Sequence, residues 1–510
     1  MRRYNTDVKL RCLQTQRTED ASFDFVIGAD GAHSLVRQLS AIDMVGSRNL
    51  QSIVNVHFTS HALSHAAREN PAMLNFVFNE NVIGVLIAHD LSRGEWVIQI
   101  PFFPPQETID QDFSVDQCKA LVRHMLPLSD DGSTGDSDDI SILSVGQWQM
   151  SARVATQYDV DRRVFLVGDA AHQFPPAGGL GMNTGLQDAH NLAWKLAWAL
   201  QNEKKENLSV DTATLLRSYE RERQLVAKLN TQLSLRNVER TMKIPSALNV
   251  SHNNAKLLAS VVNSAPVKLL PLSLQREAIQ RIMTLGKKPL GLLDRRASAL
   301  GERMKRHVQE IVSRRASLGM LFYHFDIGFS YDTARWAKRA IELMQDDVLN
   351  DSAAFTVSET ADDVVYTPQF ALGVRFPHLW CLGDSETTRV STIALERIVR
   401  EQKKGDHAVR FVLVVDDHQW RDEETHDGDA EDVWRHVAVV AISDDRPTES
   451  PTDPIRLCVD ASSPSSIARW TQFTASHSAA LVRPDGHIAF LFARGTAITT
   501  ATLRNAMQFD

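Results

Sequence analysis

Between Val164 and Ala197 the chain reads VFLVGDAAHQFPPAGGLGMNTGLQDAHNLAWKLA. An apolar run ends in Gly168-Asp169, crosses Pro175-Pro176, passes Gly178, Gly179 and Gly181, and turns helical in its periodicity. Each of these residue types has chemistry available to it. A carboxylate at the carboxyl end of a strand sits where open α/β sheets hold ligands, and Asp169 there can accept hydrogen bonds from a ribose or ribityl hydroxyl. The two prolines stiffen the crossing, because each fixes φ and removes an amide donor. Three glycines allow the backbone to approach a flat ligand, since no Cβ intervenes. The helix expected to begin near Met182 and Asn183 aims unpaired amides and the positive end of its dipole at the same place. An anion, including a reduced and negatively charged isoalloxazine ring, is stabilised at such a terminus. An ordinary strand–loop–helix connection needs the turn glycines. It does not need the combination of Gly-Asp, Pro-Pro and Gly-x-x-Gly.

A second stretch, FVIGADGAHSLVR, also runs from a short apolar strand into a Gly- and Asp-containing turn. It carries Asp30, Gly31 and Arg37. His172 lies in GDAAH, and an imidazole is the side chain that most often serves as acid or base. Its place beside a strand end favours a hydrogen-bonded structural histidine over an acid or base. Trp148 and Met150 end the expected strand VGQWQM. Core packing is the favoured reading for them, and a pocket for an aromatic ring, shared with Pro175, is the alternative. Trp194 and Trp198 lie four apart on a helix, the spacing of a packed face. The acidic run Asp136–Asp139 reads as a solvated loop, and no metal site is expected. No nucleophile-elbow or triad spacing is present, so no catalytic side chain is assigned.

The elements that position these residues fall into four blocks. Residues 1–45 hold the FDFVI strand and the Asp-Gly turn. Residues 46–150 are strand-rich, with SIVNVHF, VIGVLIAHD and EWVIQIPFF, one helix around Asp116–Met125, and the loop SDDGSTGDSDD. Residues 151–350 contain the Gly-Asp stretch and then helical periodicity, as in LLRSYERERQLVAKLNTQL. Residues 351–510 return to short strands broken by DEETHDGDAED and DDRPTESPTDP, which read as solvated loops of a separate small α/β domain. The 510 residues suffice for several domains and a substantial core. A formal charge of −8 offers nucleic acid no basic face. The apolar runs are strand-length, too short for a membrane span, and the amino terminus has no signal-peptide core. Four cysteines, Cys12, Cys118, Cys381 and Cys458, form no C-x-x-C pair. That pattern excludes a disulfide framework and fits a reducing, cytoplasmic setting.

The Val164–Ala197 stretch resembles the second FAD-binding motif of the single-component flavoprotein aromatic hydroxylases, the family of phenol and para-hydroxybenzoate hydroxylases. FVIGADGAHSLVR resembles that family's Asp-Gly motif, which serves FAD and NADPH together. LLRSYERERQLVA, YTPQFALGVRFPHLWCLGD and LVRPDGHIAF extend the resemblance over nearly the whole chain, the last two into a thioredoxin-like carboxyl-terminal domain. The fold implied is α/β: a para-hydroxybenzoate hydroxylase-like FAD-binding fold with an inserted β-sheet substrate domain. The resemblance implies that Asp30 and Gly31 approach the pyrophosphate and nicotinamide, and that Arg37 supports the turn or a phosphate. It implies that Gly168 and Asp169 hold the ribityl or ribose region, and that Pro176, Gly178, Gly179, Gly181, Met182 and Asn183 cradle the ring's pyrimidine side. The implied activity is hydroxylation of a phenolic compound by O2 through a flavin C4a-hydroperoxide, with NADPH or NADH as co-substrate. A homodimer is compatible with it.

Members of this family open with a βαβ unit carrying G-x-G-x-x-G. Here the Asp-Gly motif arrives by residue 30, so the ADP half of the FAD site is expected to be absent from this polypeptide. Two readings follow: an active monooxygenase whose remaining residues are supplied elsewhere, or a non-catalytic relative that binds a ligand or partner. With no second thiol near Cys381, the thioredoxin-like domain is expected to be redox-inert.

Overall fold

The computed structural model describes residues 6–69, 71–125, 139–202, 211–248, 271–293, 298–314, 317, 322–345, 368–383, 389–402, 408, 410–418, 431–444 and 455–508. Strands β1 (Thr6–Arg11) and β2 (Thr18–Phe23) pair as an antiparallel hairpin. Strand β3 (Val26–Gly28) follows and runs into the turn before helix α1 (Leu35–Leu39).

A six-stranded antiparallel sheet comes next. Its strands are β4 (Met44–Thr59), β5 (Leu74–Phe78), β6 (Ile83–Asp90), β7 (Glu95–Phe102), β8 (Ser141–Ala155) and, far along the chain, β11 (His172–Gln173). Their order is β11-β8-β4-β7-β6-β5. Alternation along β4 and β7 puts Val54, Val56, Phe58, Trp96 and Ile98 in a core closed by Cys118 and Val122. Those two residues lie on helix α3 (Val115–Arg123), which a Ser114–Gln117 capping box starts. Odd-numbered β4 and β7 residues therefore face the other way. Strand β8 does not stop at Met150. It continues to Ala155, because Ala152, Val154 and Ala155 are themselves buried.

Helix α2 (His61–Ala67) follows β4, and Asp139 clamps its start. The Asp139 carboxylate accepts from Ser60 Oγ at 2.8 Å and from the backbone N–H of His61 and Ala62 at 3.0 and 2.9 Å. The solvated-loop expectation is thus corrected for Asp139, whose charge complements a helix N-terminus. Asp136 and Asp138 lie outside the described residues.

Strands β9 (Asp159–Val160) and β10 (Val164–Leu166) join β3 in the order β3-β10-β9, with β3 and β10 parallel. Two long helices, α4 (Leu180–Gln201) and α5 (Thr212–Thr241), pack behind this sheet. The carboxyl-terminal sheet is formed by β12 (Trp380–Leu382), β13 (Arg389–Ser391), β14 (Phe411–Asp416), β15 (Val437–Ser443), β16 (Ile455–Val459), β17 (His477–Val482) and β18 (Ile488–Ala493). Their order is β13-β12-β16-β15-β14-β17-β18. Strands β14, β15 and β16 are parallel, and all six residues of β14 are buried. That is why FVLVV reads as one unbroken apolar run. Cys381 pairs with Val459 and Leu382 with Cys458, so the two thiols sit on neighbouring strands but on opposite sheet faces. Among the described residues no helix is long and apolar enough to cross a membrane.

Candidate functional site

The turn after β3 is built around one carboxylate. Asp30 Oδ2 accepts from the backbone N–H of Leu35 at 2.7 Å and of Val36 at 3.0 Å, the start of α1. Partial burial pushes its pKa up, but the Ser34 hydroxyl and these amides outweigh it, and the carboxyl lies below its usual range. Gly31 has φ +78°, with open space where a Cβ would stand. The turn therefore needs glycine, and it leaves room for a ligand.

Arg37 is buried and fastens this turn to the second motif. Its Nη1 donates to Ala170 O at 2.8 Å and its Nη2 to Ala32 O at 3.0 Å. Gln173 Nε2 donates to the same Ala32 oxygen at 2.9 Å, while Gln173 Oε1 accepts from Arg153 at 2.7 and 3.1 Å. One chain of bonds thus runs from the six-stranded sheet through Gln173 to the Asp30–Gly31 turn, and on through Arg37 to the Gly168–Ala170 turn. Arg37 Nη1 and Nη2 thus each donate to a backbone carbonyl, one in either turn.

The Gly-Asp stretch leaves β10 in a short 3-10 turn, Gly168–Ala170. Gly168 has φ +61°, and a Cβ on Gly185 would stand 3.2 Å from its Cα. The pair lets this turn lie directly against α4. Asp169 is exposed, and among the described residues its carboxylate has no intramolecular partner. Helix α4 starts at Leu180 rather than near Met182, because Gly179 takes a left-handed conformation (φ +68°) as N-cap and provides no side chain to cap the helix. The first amides of a 22-residue helix are therefore left for a ligand or solvent. Gly178 has φ +108°, and a Cβ there would meet Asn237 Nδ2 at 2.9 Å and Phe322 at 3.1 Å. A Cβ on Gly179 would have no described residue within 4 Å. Pro175 is buried, Pro176 is exposed, and Met182 and Asn183 are exposed on the first turn of α4. A Cβ on Gly181 would meet, among the described residues, only Phe174, at 4.0 Å.

Behind this surface lies a buried charge cluster absent from the sequence reading. Asp188 accepts from Arg223 Nε at 2.7 Å and from the Gly168 N–H at 3.2 Å, and it meets His172 Nε2 at 2.8 Å. His172 is fully buried and stacks on Phe174 at 4.6 Å, the structural histidine the sequence favoured. A second group joins α4 and α5 to the β17–β18 turn. Glu222 accepts from Lys195 at 2.8 Å and from Arg483 at 2.7 and 3.0 Å, and Arg483 also reaches Asp485 at 2.6 Å. Burial would raise Glu222, but Arg483 and Lys195 prevail and hold its pKa at about 2. An unfolded glutamate titrates near 4.3, so the folded state takes up this proton less readily. The contribution is complete above about pH 4.3 and is lost as pH falls through about 2. Acid unfolding followed by tryptophan fluorescence should show stability falling over that window. Glu222→Gln, less stable at pH 7, should flatten the slope there by up to one proton, about 1.4 kcal/mol per pH unit. An unchanged slope would remove Glu222 from the acid-sensitive set.

Trp148 is half-buried, with its Nε1 donating to Asn55 Oδ1 at 2.9 Å, and Met150 is buried. Both lie on the sheet face opposite the Phe58–Trp96 core, mid-strand rather than at a strand end. Arg37, Gln173 and Asp188 organise the loops, yet only Arg37 was singled out from sequence. A helical stripe signals Asp188: residues 188, 192, 195 and 199 share one buried face, and two of the four are charged.

Residues 3–234 match the FAD binding domain family. The tetracenomycin A2 monooxygenase-dioxygenase of Streptomyces glaucescens is 32% identical over 206 residues, 39% of this chain and 34% of that protein. The 2,4-dichlorophenol 6-monooxygenase of Delftia acidovorans is 30% identical over 222 residues, 42% of this chain and 34% of that protein. The matches span about a third of the length of the curated relatives. Among solved structures, the flavin-dependent monooxygenase PieE in complex with FAD and substrate superposes with a TM-score of 0.63 at 21% identity. That superposition covers 99% of this chain and 73% of PieE, and it establishes a shared mixed α/β fold. Two motif loops bolted together by Arg37 lie in the segment that carries the match, and the conclusion is a similarity: residues 3–234 of this chain resemble the FAD binding domain family, and the curated relatives of that segment are monooxygenases.

Proposed function

We propose that this chain works as an FAD- and NAD(P)H-dependent monooxygenase that hydroxylates a phenolic ring. The observation that carries the reading is the surface made by the Asp169 carboxylate, without a partner among the described residues, the space those residues leave at Gly31 and Gly179, and the uncapped start of α4. These residues fit the ring and ribityl end of FAD. Asp169 would accept from a ribityl or ribose hydroxyl. The backbone from Gly178 to Asn183 would lie along the ring's pyrimidine side, its amides and dipole favouring negative charge there. Bound FAD would take reducing equivalents from NAD(P)H and activate O2 toward the phenol. The protein would orient the phenol and exclude water, with Asn55, Trp148 and Met150 on the sheet face as candidate contacts. Strand β3 has β10 on one edge. In this reading the G-x-G-x-x-G unit of the family would add at the other edge and hold the adenosine end.

We read residues 351–510 as a thioredoxin-like unit without thiol–disulfide exchange. The parallel β14–β15–β16 core continued by the antiparallel β17–β18 hairpin supports this. So does Cys381, whose thiol is pushed up to about 12 by burial and by nearby Cys458 and Asp460. Exchange needs an accessible thiolate, and this thiol is the opposite.

The test uses the gene product that contains this chain. It should bind FAD and consume NAD(P)H and O2 on addition of a phenol. Asp169→Ala should weaken FAD binding roughly 10- to 150-fold, the equivalent of about 1.5–3 kcal/mol for a lost charge-assisted hydrogen bond. Folding should change little, because among the described residues nothing bonds to that carboxylate. Gly179→Ala is the complementary probe: its methyl meets no described residue within 4 Å, so beyond the roughly 1–2 kcal/mol that alanine costs at φ +68° its effect should fall on FAD affinity. Unchanged FAD affinity in both variants would overturn the placement, and bound FAD without turnover would leave a ligand-binding relative.

A further inference from the structure

Away from the loops described above, the six-stranded sheet brings three metal-ligating side chains to one point. His57 lies on β4, His89 near the end of β6 and Glu95 at the start of β7. Phe58 and Trp96 pair across β4 and β7 and point into the core. His57 and Glu95, one residue before each, project from the opposite face. Their ends meet at 2.7 Å. His89 reaches the same face by alternation along β6, two residues after Ile87, which pairs with Val97. Ala88 pairs with Trp96 and Asp90 with Glu95, which leaves His89 as the extra residue of a bulge. The His89 ring stands 5.9 Å from that of His57. One ligand atom from each of the three residues lies within 4.8 Å of the others.

We propose that His57, His89 and Glu95 form a binding site for a divalent transition-metal cation, with Zn2+ as the probe. Two imidazoles and a carboxylate are borderline donors, which suit zinc and its neighbours better than magnesium or calcium. Metal–ligand bonds of about 2.0–2.2 Å in a tetrahedral arrangement place the ligand atoms about 3.3 Å apart. The His57–Glu95 contact then opens by about half an ångström, and exposed His89 closes in by side-chain rotation. The remaining coordination position faces outward and is open to water or an oxygen ligand. A simple hydrogen-bonded pair accounts for His57 and Glu95, but not for the third ligand-type side chain that the register sets beside them. The site would tie three adjacent strands together on the face that also carries Asn55 and Trp148. Spacing in the sequence does not reveal it, because the strand register creates it.

The experiment is a calorimetric titration of the metal-free full chain with Zn2+, with zinc content measured after desalting. One zinc per chain is expected. His89→Ala and the double substitution His57→Ala/Glu95→Gln should each weaken it about tenfold or more. His61→Ala/His65→Ala removes an exposed i, i+4 histidine pair on α2 that could capture zinc adventitiously, and should leave the affinity unchanged. His89 is exposed, so its variant tests binding without threatening the fold. Absence of saturable binding, unchanged affinity in His89→Ala, or loss in the His61/His65 variant would each overturn the proposal.

Discussion

Arg223→Met is expected to destabilise the protein by about 3–5 kcal/mol, the range for stripping one partner from a buried ion pair. Arg223 is fully buried and spans four groups. Beyond Asp188, it donates to Thr184 O and Gln187 Oε1 at 3.2 Å and to Tyr331 Oη at 3.4 Å. Methionine keeps much of the volume and none of the charge. Asp188 would then sit at zero exposure with only neutral donors and His172, and burial, now less opposed, would draw its pKa upward. The local consequence falls on the Gly168 amide, which Asp188 holds, and so on the turn that presents Asp169. Urea denaturation measures the loss. The double variant Asp188→Asn/Arg223→Met should recover part of it, because no uncompensated charge remains. A coupling energy of about 0.5–3 kcal/mol between the two sites is the expected result. A cost below about 1 kcal/mol for the single variant would mean that the cluster is not electrostatically tight.

The loops were legible in the sequence because their residue types are irreplaceable. Gly31, Gly168, Gly178 and Gly179 all have positive φ, and such positions advertise themselves as glycine. Asp169, exposed at the end of a strand–turn, was readable for the same local reason. The fastenings were less legible. Arg37 bonds to two backbone carbonyls, Ala32 and Ala170, and a carbonyl acceptor has no sequence signature. Asp139 was read with its acidic neighbours as a solvated loop, yet three donors from the start of α2 surround its carboxylate. Glu222 and Lys195 look like ordinary charges on long helices until Arg483 arrives from 261 residues away. The helix start was misplaced by two residues, because glycine serves as N-cap through φ and not through a side-chain bond. Strand β8 ran on because its last residues are buried against β10 and α5, a tertiary fact. The proximity of Cys381 and Cys458 was equally hidden, and only the pairing shows that their side chains diverge.

Trp198→Ala should loosen the carboxyl-terminal sheet from the helices, at a cost of about 3–5 kcal/mol for truncating a buried aromatic. Trp198 has zero exposure and presents its edge to Phe411 at 5.6 Å, with His436 at 4.5 Å. Trp194, one turn earlier, meets the same Phe411 at 5.9 Å. These tryptophans and Leu215 share one apolar cluster with Leu413, Val415, Leu481 and Phe492, so helix and sheet are packed as a single core. The polar fastening of Arg483 to Glu222 would survive the substitution, but it cannot exclude water from the void that alanine leaves. Urea unfolding should therefore split into two transitions, and limited proteolysis should cut the carboxyl-terminal sheet first. Trp198→Phe distinguishes packing from hydrogen bonding. Among the described residues the Trp198 Nε1 has no hydrogen-bond partner. Phenylalanine gives up volume but also removes a buried, unsatisfied donor that costs about 1–3 kcal/mol. The two effects oppose, and the net change should stay within about 1.5 kcal/mol. If Trp198→Ala instead unfolds in one transition at the parent midpoint, the sheet is held by its charges, and the apolar cluster is not what joins the two layers.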